Sequence, residues 1–311
     1  MQSVHQATRK PTPASSPYAG QTITKLPNWT GLTAWDIWFN NLSIGVFLVA
    51  AAGALVAPAH FAPLTKYAYP LALLLLVVDL ALLVGDLGDP ARFHHMLRVF
   101  KPSSPMSFGT WTLSAYGLLL GIASVVAVLK WPLLAGVQAF LARAGLWGLI
   151  EVLGAAAAVL AILPAMGGIL YKGVLFSVTS QAGWKDARWL GGYVTNSAVL
   201  LGCSVMVLLA LVFGQSAAVA ALRVAMLALL VLDAILLLLL YRGVAPAYRA
   251  RYDANQRMFF WIIVLAGGLI APFLLLLQGT LLIAVPPLLI LPAALVTRYA
   301  LVLLPRPPAG K

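Results

Sequence analysis

Stretches of about twenty apolar residues, broken by short polar or basic segments, recur from residue 35 to residue 303. A hydrocarbon layer of about 30 Å takes about 20 residues of helix to cross. That yardstick predicts eight spans, at roughly 35–57, 67–88, 108–129, 147–171, 192–213, 221–241, 258–278 and 281–303. Lipid offers no partner to open backbone groups, and the period-two alternation of a membrane barrel is absent, so the expected fold is an all-α integral membrane protein with eight transmembrane helices. The tightest join falls between helices seven and eight, at Gln278 and Gly279. A merged pair there would leave seven spans and put the termini on opposite sides. Residues 1–34 form a polar tail rich in Pro, Ser and Thr, with no apolar core of signal-peptide type, and residues 304–311 form a C-terminal tail.

Composition narrows the function. With 62% hydrophobic residues and only 20 basic and 8 acidic side chains in 311 residues, the chain does not read as a soluble enzyme. The net charge of +12 comes without a basic helix or an aromatic-basic module, so no nucleic-acid partner is expected. One cysteine, Cys203, makes neither an internal disulfide nor the thiolate set of an iron–sulfur cluster or a structural zinc site. His5, His60, His94 and His95 all fall outside the predicted spans, which argues against a haem held between two helices. Any electron transfer would therefore use a metal centre in another chain.

Eight spans bring both termini to one side, the terminal face. Of the 20 lysines and arginines, only Lys66, Lys130, Arg143 and Arg223 fall opposite. The others run from Arg9, Lys10 and Lys25 through Arg92, Arg98 and Lys101, then Lys172, Lys185 and Arg188, to Arg298, Arg306 and Lys311, with four more between Arg242 and Arg257. Basic residues stay on the cytoplasmic side, so both termini are expected there, in the cell (inner) membrane; a docking surface for an acidic partner is the other reading of the same charges. Aromatic residues fall near both interfaces, Tyr171 and Tyr193 among those on the terminal side.

Two segments invite comparison. Asp79 in helix two and Asp233 in helix six each precede a Pro-aromatic-Arg exit, and the same offset pairs Trp35 with Trp189 and Ser43 with Ser197. This pattern is expected of two four-helix bundles in parallel repeat, residues 35–180 and 181–303. Ionisable groups inside a membrane are costly and persist mainly where they face a bundle interior or a wet cavity. Asp79, Asp233 and Glu151, about one turn inside helix four, are candidates for a proton relay; carboxyls bonded to a neighbouring helix are the structural alternative.

The loop after helix two reads GDLGDPARFHHMLRVFKPSSPMSFGTW, from Gly85 to Trp111. Gly85, Gly88 and Pro90 end the helix, Phe93, Met96, Leu97 and Phe100 make an amphipathic surface turn, and Pro102 and Pro105 stop it before helix three. This stretch closely resembles the polysulfide reductase membrane-subunit family of the NrfD/PsrC type, which carries a GDLG-P-RF segment followed by KP-SPMS-G-W. Tyr18, Gly20, Lys25, Pro27 and Trp29 are similar to that family's segment before helix one. Tyr171-Lys172-Gly173-Val174-Leu175 is similar to its Y-T-G-V-L segment, with Lys in place of Thr.

The resemblance implies a membrane anchor that exchanges electrons with the quinone/quinol pool, menaquinone or ubiquinone. Its partners would be an iron–sulfur (ferredoxin-like) subunit and a molybdopterin catalytic subunit. The family's quinone site lies at the start of helix one near the end of helix four, which points here to Asn40, Asn41 and Tyr171. Some members carry a His in helix one where this chain reads Asn41-Leu42-Ser43, so Asp86, His94 and His95 are considered as substitutes. Arg92, Arg98 and Lys101 are the expected docking residues for the iron–sulfur partner, and no metal site is expected in this chain. A structural anchor without quinone chemistry and a secondary transporter are the rival readings. The second would call for broken helices at matching places in both halves, and Pro164 and Pro272 do not match.

Overall fold

The computed structural model describes residue 29 and residues 31–181, 183–279 and 282–306, and every regular element among them is helical. Eight helices are long and apolar enough to cross a membrane: α1 Gly31–Val56, α2 Pro58–Gly85, α3 Pro105–Leu129, α4 Trp147–Ser177, α5 Leu190–Val212, α6 Ser216–Arg251, α7 Ala254–Leu277 and α8 Val285–Val302. The expected eight-span architecture is borne out, and α7 and α8 are separate helices, with Gly279 (φ +106°) in the left-handed region between them.

Helix ends differ from expectation where an apolar window is a poor guide. Pro58 takes the first position of α2, where its missing N–H costs nothing, so α2 starts well before residue 67 and carries His60, which was expected in a loop. α6 runs on through Tyr241 to Arg251, because its basic exit YRGVAPAYRAR keeps helical geometry past the apolar stretch. α4 continues to Ser177, and this extension brings Lys172 inside the helix.

α1 and α5 lie at the centre. Without a hydrophobic driving force between helices in lipid, close approach through small residues supplies the packing. Gly45 and Gly202 provide it, since a Cβ on either would collide with the backbone of the other helix. α2 packs along α1, α3 along α4, and α6 along α5, while α8 touches α1, α5 and the middle of α7. Trp38 Nε1 donates to the Leu291 carbonyl at 3.0 Å, fastening α1 to α8. α7 opens into a π-helix over Ile262–Ile270, which sets Gly268 against Ala293 of α8. The two ends of the described chain meet, Arg306 Nη2 donating to the Trp29 carbonyl at 2.9 Å, which puts them on one side as an even number of spans does.

Residues Tyr18, Gly20, Lys25 and Pro27 of the tail lie outside the described residues, as do Arg9, Lys10 and Lys311. Lys172 and Arg298 were expected among the terminal-face charges. Both are buried in the bundle, 3% and 2% exposed, so neither counts toward a loop charge bias. Tyr171 and Tyr193 are likewise buried side chains, not members of an interfacial belt.

Candidate functional site

At the terminal-face end of the first four helices a narrow cleft of about 60 Å³ opens between α1, α2, α3 and α4. Its polar lining is Thr33 and Asp36 from α1, Asp86 just past α2, and Tyr171 with Lys172 from α4. Ile37, Leu83, Leu87 and Leu175 make its walls, and Met106, from the start of α3, also lines it. Each helix reaches this place for a local reason. Ser104 caps α3, accepting from the Ser107 amide at 3.5 Å, and Pro105 takes the first helical position. The Ser107 hydroxyl donates to the Val99 carbonyl and accepts from the Lys101 amide, both at 3.0 Å, which clamps the incoming loop to the head of α3. Trp29, Phe176 and Trp184 pack their rings against one another beside the cleft, with centroids about 5 Å apart.

Below the cleft lies a buried ion cluster. Lys172 Nζ is 2.9 Å from Asp36 Oδ2 and 3.0 Å from Asp79 Oδ1, with all three side chains almost fully enclosed. The same ammonium approaches the Asp36 carbonyl at 3.4 Å. Asn40 Nδ2 donates to the other Asp79 oxygen at 3.0 Å. An unpaired charge in a membrane bundle is expensive, so two carboxylates converging on one ammonium fix the geometry of α1, α2 and α4 together. The cluster is nonetheless incomplete. Asp36 Oδ1 is buried and has no hydrogen-bond partner, and Asp36 is also a wall of the cleft. Thr33 donates to Asp86 at 2.7 Å across the mouth.

The loop signature finds its role here. A Cβ on Gly109 would collide with the Tyr171 ring, so glycine at this point of the SFGTW segment makes room for that ring beside Lys172. Gly173 of the YKGVL segment backs directly onto Gly191, which lets the end of α4 and the start of α5 touch. Phe93, Leu97 and Phe100 are exposed on the 3₁₀ turn Pro90–Leu97 and the segment after it.

Of the residues singled out in the sequence, Tyr171 and Asp86 line the cleft, while Asn40 and Asp79 lie in the cluster beneath it. Asn41 does neither. It is fully buried and donates to the Val194 carbonyl at 3.0 Å, a bond between α1 and α5. His94 and His95 pack edge to face on the exposed 3₁₀ turn, with centroids 4.4 Å apart, and are not among the lining residues. Arg92 pairs with Asp89 at 3.1 Å on the same surface, and Arg98 and Lys101 are exposed nearby. Glu151 was expected about one turn inside helix four, as a candidate member of a proton relay. At that depth it is about half exposed and pairs with Lys130 at 2.8 Å where α3 ends and α4 begins, because this turn of α4, with Leu149, Val152 and Leu153 exposed around it, does not face the bundle interior.

Asp233 is buried as expected and accepts from Asn196 at 2.9 Å, an α5-to-α6 bond of the same kind as Asn40 to Asp79 between α1 and α2. Sequence reasoning missed Asp36 and Lys172 as site residues, and Arg298 as a buried one. Arg298 lies within a predicted span, so an intramembrane cation was legible there. Asp36 lies in the second turn of a helix that begins four residues earlier than the apolar window.

Two comparisons with known proteins bear on this geometry. The family model described as polysulphide reductase, NrfD, matches residues 24–304, nearly the whole chain, including the cleft, the buried cluster and the loop from Gly85 to Trp111. No curated protein matches the chain.

Proposed function

The chain belongs to the polysulphide reductase NrfD family, whose members are membrane subunits of quinone-linked oxidoreductase complexes, and from that premise we propose that the cleft is where it meets the quinone pool. The observation that carries this reading is the unpartnered Asp36 oxygen, a buried acceptor in the wall of an otherwise largely apolar cleft. A quinone site needs an apolar slot with a few polar groups at the carbonyl end, and the residues present fit that requirement. The cleft is narrower than the roughly 300 Å³ or more that usually encloses a ligand. A ring enters as the flexible, partly exposed Met106 swings aside.

When bound, the quinone supplies the two-electron, two-proton chemistry. Asp36 exchanges a proton with its hydroxyl, and Lys172 holds the Asp36 carboxylate in place and steadies its charge. The Tyr171 hydroxyl and the Thr33–Asp86 pair orient the ring, while Ile37, Leu83 and Leu175 exclude water. Asp79, hydrogen-bonded to Asn40, is the next carboxylate inward and Asp233 its counterpart in the second half. Glu151, at the opposite end of α4 and partly solvated, has no place in this relay.

Electrons pass to or from an iron–sulfur (ferredoxin-like) subunit joined to a molybdopterin subunit, docked over the exposed turn that presents Phe93, Arg92, Arg98 and Lys101. The reading takes the protein as a cell-membrane subunit with cytoplasmic termini. It treats residues 35–180 and 181–303 as two related four-helix units, supported by the repeated Asn-to-Asp bond.

The test compares Asp36→Asn and Tyr171→Phe with wild type in the assembled complex. Quinone-linked turnover is expected to fall about 10²–10⁴-fold in Asp36→Asn, the usual scale for a proton-transfer group, with dye-linked activity of the partner intact. Full quinone-linked turnover in both variants would contradict the assignment, and failure of the complex to assemble would mark these residues as structural.

A further inference from the structure

Away from the quinone cleft, a cavity of about 230 Å³ opens at the terminal-face end of the second half, between the exit of α6, the start of α7 and the end of α8. Five rings line it, those of Tyr248, Tyr252, Phe259, Phe260 and Tyr299. The Tyr252 hydroxyl donates to the Ala300 carbonyl at 2.9 Å. The Tyr248 hydroxyl has no such outlet: the residue is 3% exposed and its oxygen is buried without a hydrogen-bond partner. Leaving a buried hydroxyl unbonded costs free energy, so this wall of the cavity favours an occupant that offers it an acceptor.

Two half-buried guanidinium groups stand at the rim. Arg251 Nε donates to the carbonyl of Leu303, a lining residue, at 3.2 Å, and the group lies 5.0 Å from the Tyr252 ring centroid. Arg257 Nη1 donates to the Tyr252 carbonyl at 2.7 Å and to the Arg249 carbonyl at 3.2 Å. Each is thus held by backbone next to the cavity, with further N–H groups to spare. Among the described residues neither forms an ion pair. Asp253, between them in sequence, uses its carboxylate to cap α7, accepting from the Gln256 amide at 2.8 Å. Fixed cations without a counterion above an apolar slot, at the level where helices leave the bilayer, match a ligand that is anionic at one end and apolar at the other. A free anion would satisfy only the rim, and a neutral ring only the slot.

We propose that this cavity seats an anionic phospholipid. Its phosphate lies against Arg251 and Arg257, a glycerol-ester carbonyl accepts from the Tyr248 hydroxyl, and the head of an acyl chain rests on Phe259, Phe260 and Val296. Seated there, the lipid ties α7 to the ends of α6 and α8. Further into the membrane α7 needs such a tie, since a gap of about 400 Å³ lies between it and α6 among Leu237, Tyr241, Trp261 and Leu265.

Native mass spectrometry of the detergent-solubilised full chain, with phosphatidylglycerol, phosphatidylcholine or inorganic phosphate added, tests this. One phosphatidylglycerol per chain is expected to be retained most tightly, phosphatidylcholine more weakly and inorganic phosphate not at all. Affinity for that first lipid should fall about fivefold in each of Arg251→Gln and Arg257→Gln, the scale of one basic residue at a charged surface. In Tyr248→Phe it should fall about two- to twelvefold, the scale of one hydrogen bond. Ala300→Phe fills the cavity and keeps both guanidinium groups, so loss of the lipid there separates a seated molecule from attraction to a basic surface. Tyr248→Phe removes only an oxygen that has no partner in the fold, and it decides the matter even where Ala300→Phe does not fold. Equal retention of the two lipids, or wild-type phosphatidylglycerol affinity in Tyr248→Phe or Ala300→Phe, overturns the site. So does retention of inorganic phosphate in the lipid's place, which marks a free-anion site, or displacement of the lipid by excess quinone, which marks a second ring site.

Discussion

The Lys172 ammonium and the Asp36 carboxylate, on helices far apart in the chain, meet at 2.9 Å in the floor of the cleft. Lys172 stands where the family's Y-T-G-V-L segment has Thr, so a neutral hydroxyl position is occupied here by a cation with two carboxylates around it. The contact joins the first transmembrane helix to the fourth, so the residues that hold the bundle together are the ones proposed to serve the quinone.

Removing that cation should be severe. Lys172→Met leaves Asp36 and Asp79 buried without compensation, and breaking a buried pair in this way costs about 3–5 kcal/mol. A marked drop in melting temperature of the detergent-solubilised protein is expected. Adding Asp36→Asn and Asp79→Asn to Lys172→Met should recover much of it. A single variant that melts like wild type would show that the cluster does not hold the helices.

Gly109→Ala puts a methyl group against the Tyr171 ring, a clash of the kind that costs about 1–3 kcal/mol. The ring has to move, so lowered quinone-linked turnover is expected in a protein that still inserts. Gly85→Ala is the control, since a Cβ there meets nothing within 4 Å. Equal turnover in the two variants would separate the loop signature from the site.

At the crossing of α1 and α5 the neighbour of an added side chain is backbone, which has no rotamer to yield. Gly202→Val should therefore prevent α1 and α5 from closing on each other, seen as loss of monodisperse protein, whereas Gly121→Ala, in open space, should behave as wild type.

Sidedness is read from the remaining loop charges. With Lys172 and Arg298 removed from the terminal-face set, Arg92, Arg98, Lys101, Lys185, Arg188 and the basic exit of α6 still outnumber Lys66, Lys130, Arg143 and Arg223 opposite. A fluorescent-protein fusion at Lys311 is expected to light up and a phosphatase fusion there to be inactive. The reverse pair of results would place the terminal face, and the partner docked on it, outside the cytoplasm.

The eight spans and the loop signature were legible because hydropathy and turn residues act locally. Asp79 and Asp233 were legible for the same reason, as single acids in the middle of apolar runs. Lys172 and Asp36 were not. Each lies within two turns of a helix end, where a charge reads as interfacial, and only the extension of α4 to Ser177 and the early start of α1 at Gly31 bring them inside. Glu151 misled in the opposite direction, since the apolar residues on both sides of it face outward and its own carboxylate reaches Lys130 at the bundle's end. Asn41 reads as a polar group at the right depth, but helix rotation turns it to α5 and not to the cleft.

The central claim is that a quinone ring enters between α1, α2 and α4, and photolabelling with an azidoquinone tests it most directly. Digestion and mass analysis of the labelled complex are predicted to find the label on the segments holding Thr33–Ile37, Leu83–Leu87, Met106 or Tyr171–Phe176, and excess unmodified quinone is predicted to suppress it. Label that quinone does not displace, or displaceable label confined to other segments, would contradict the account.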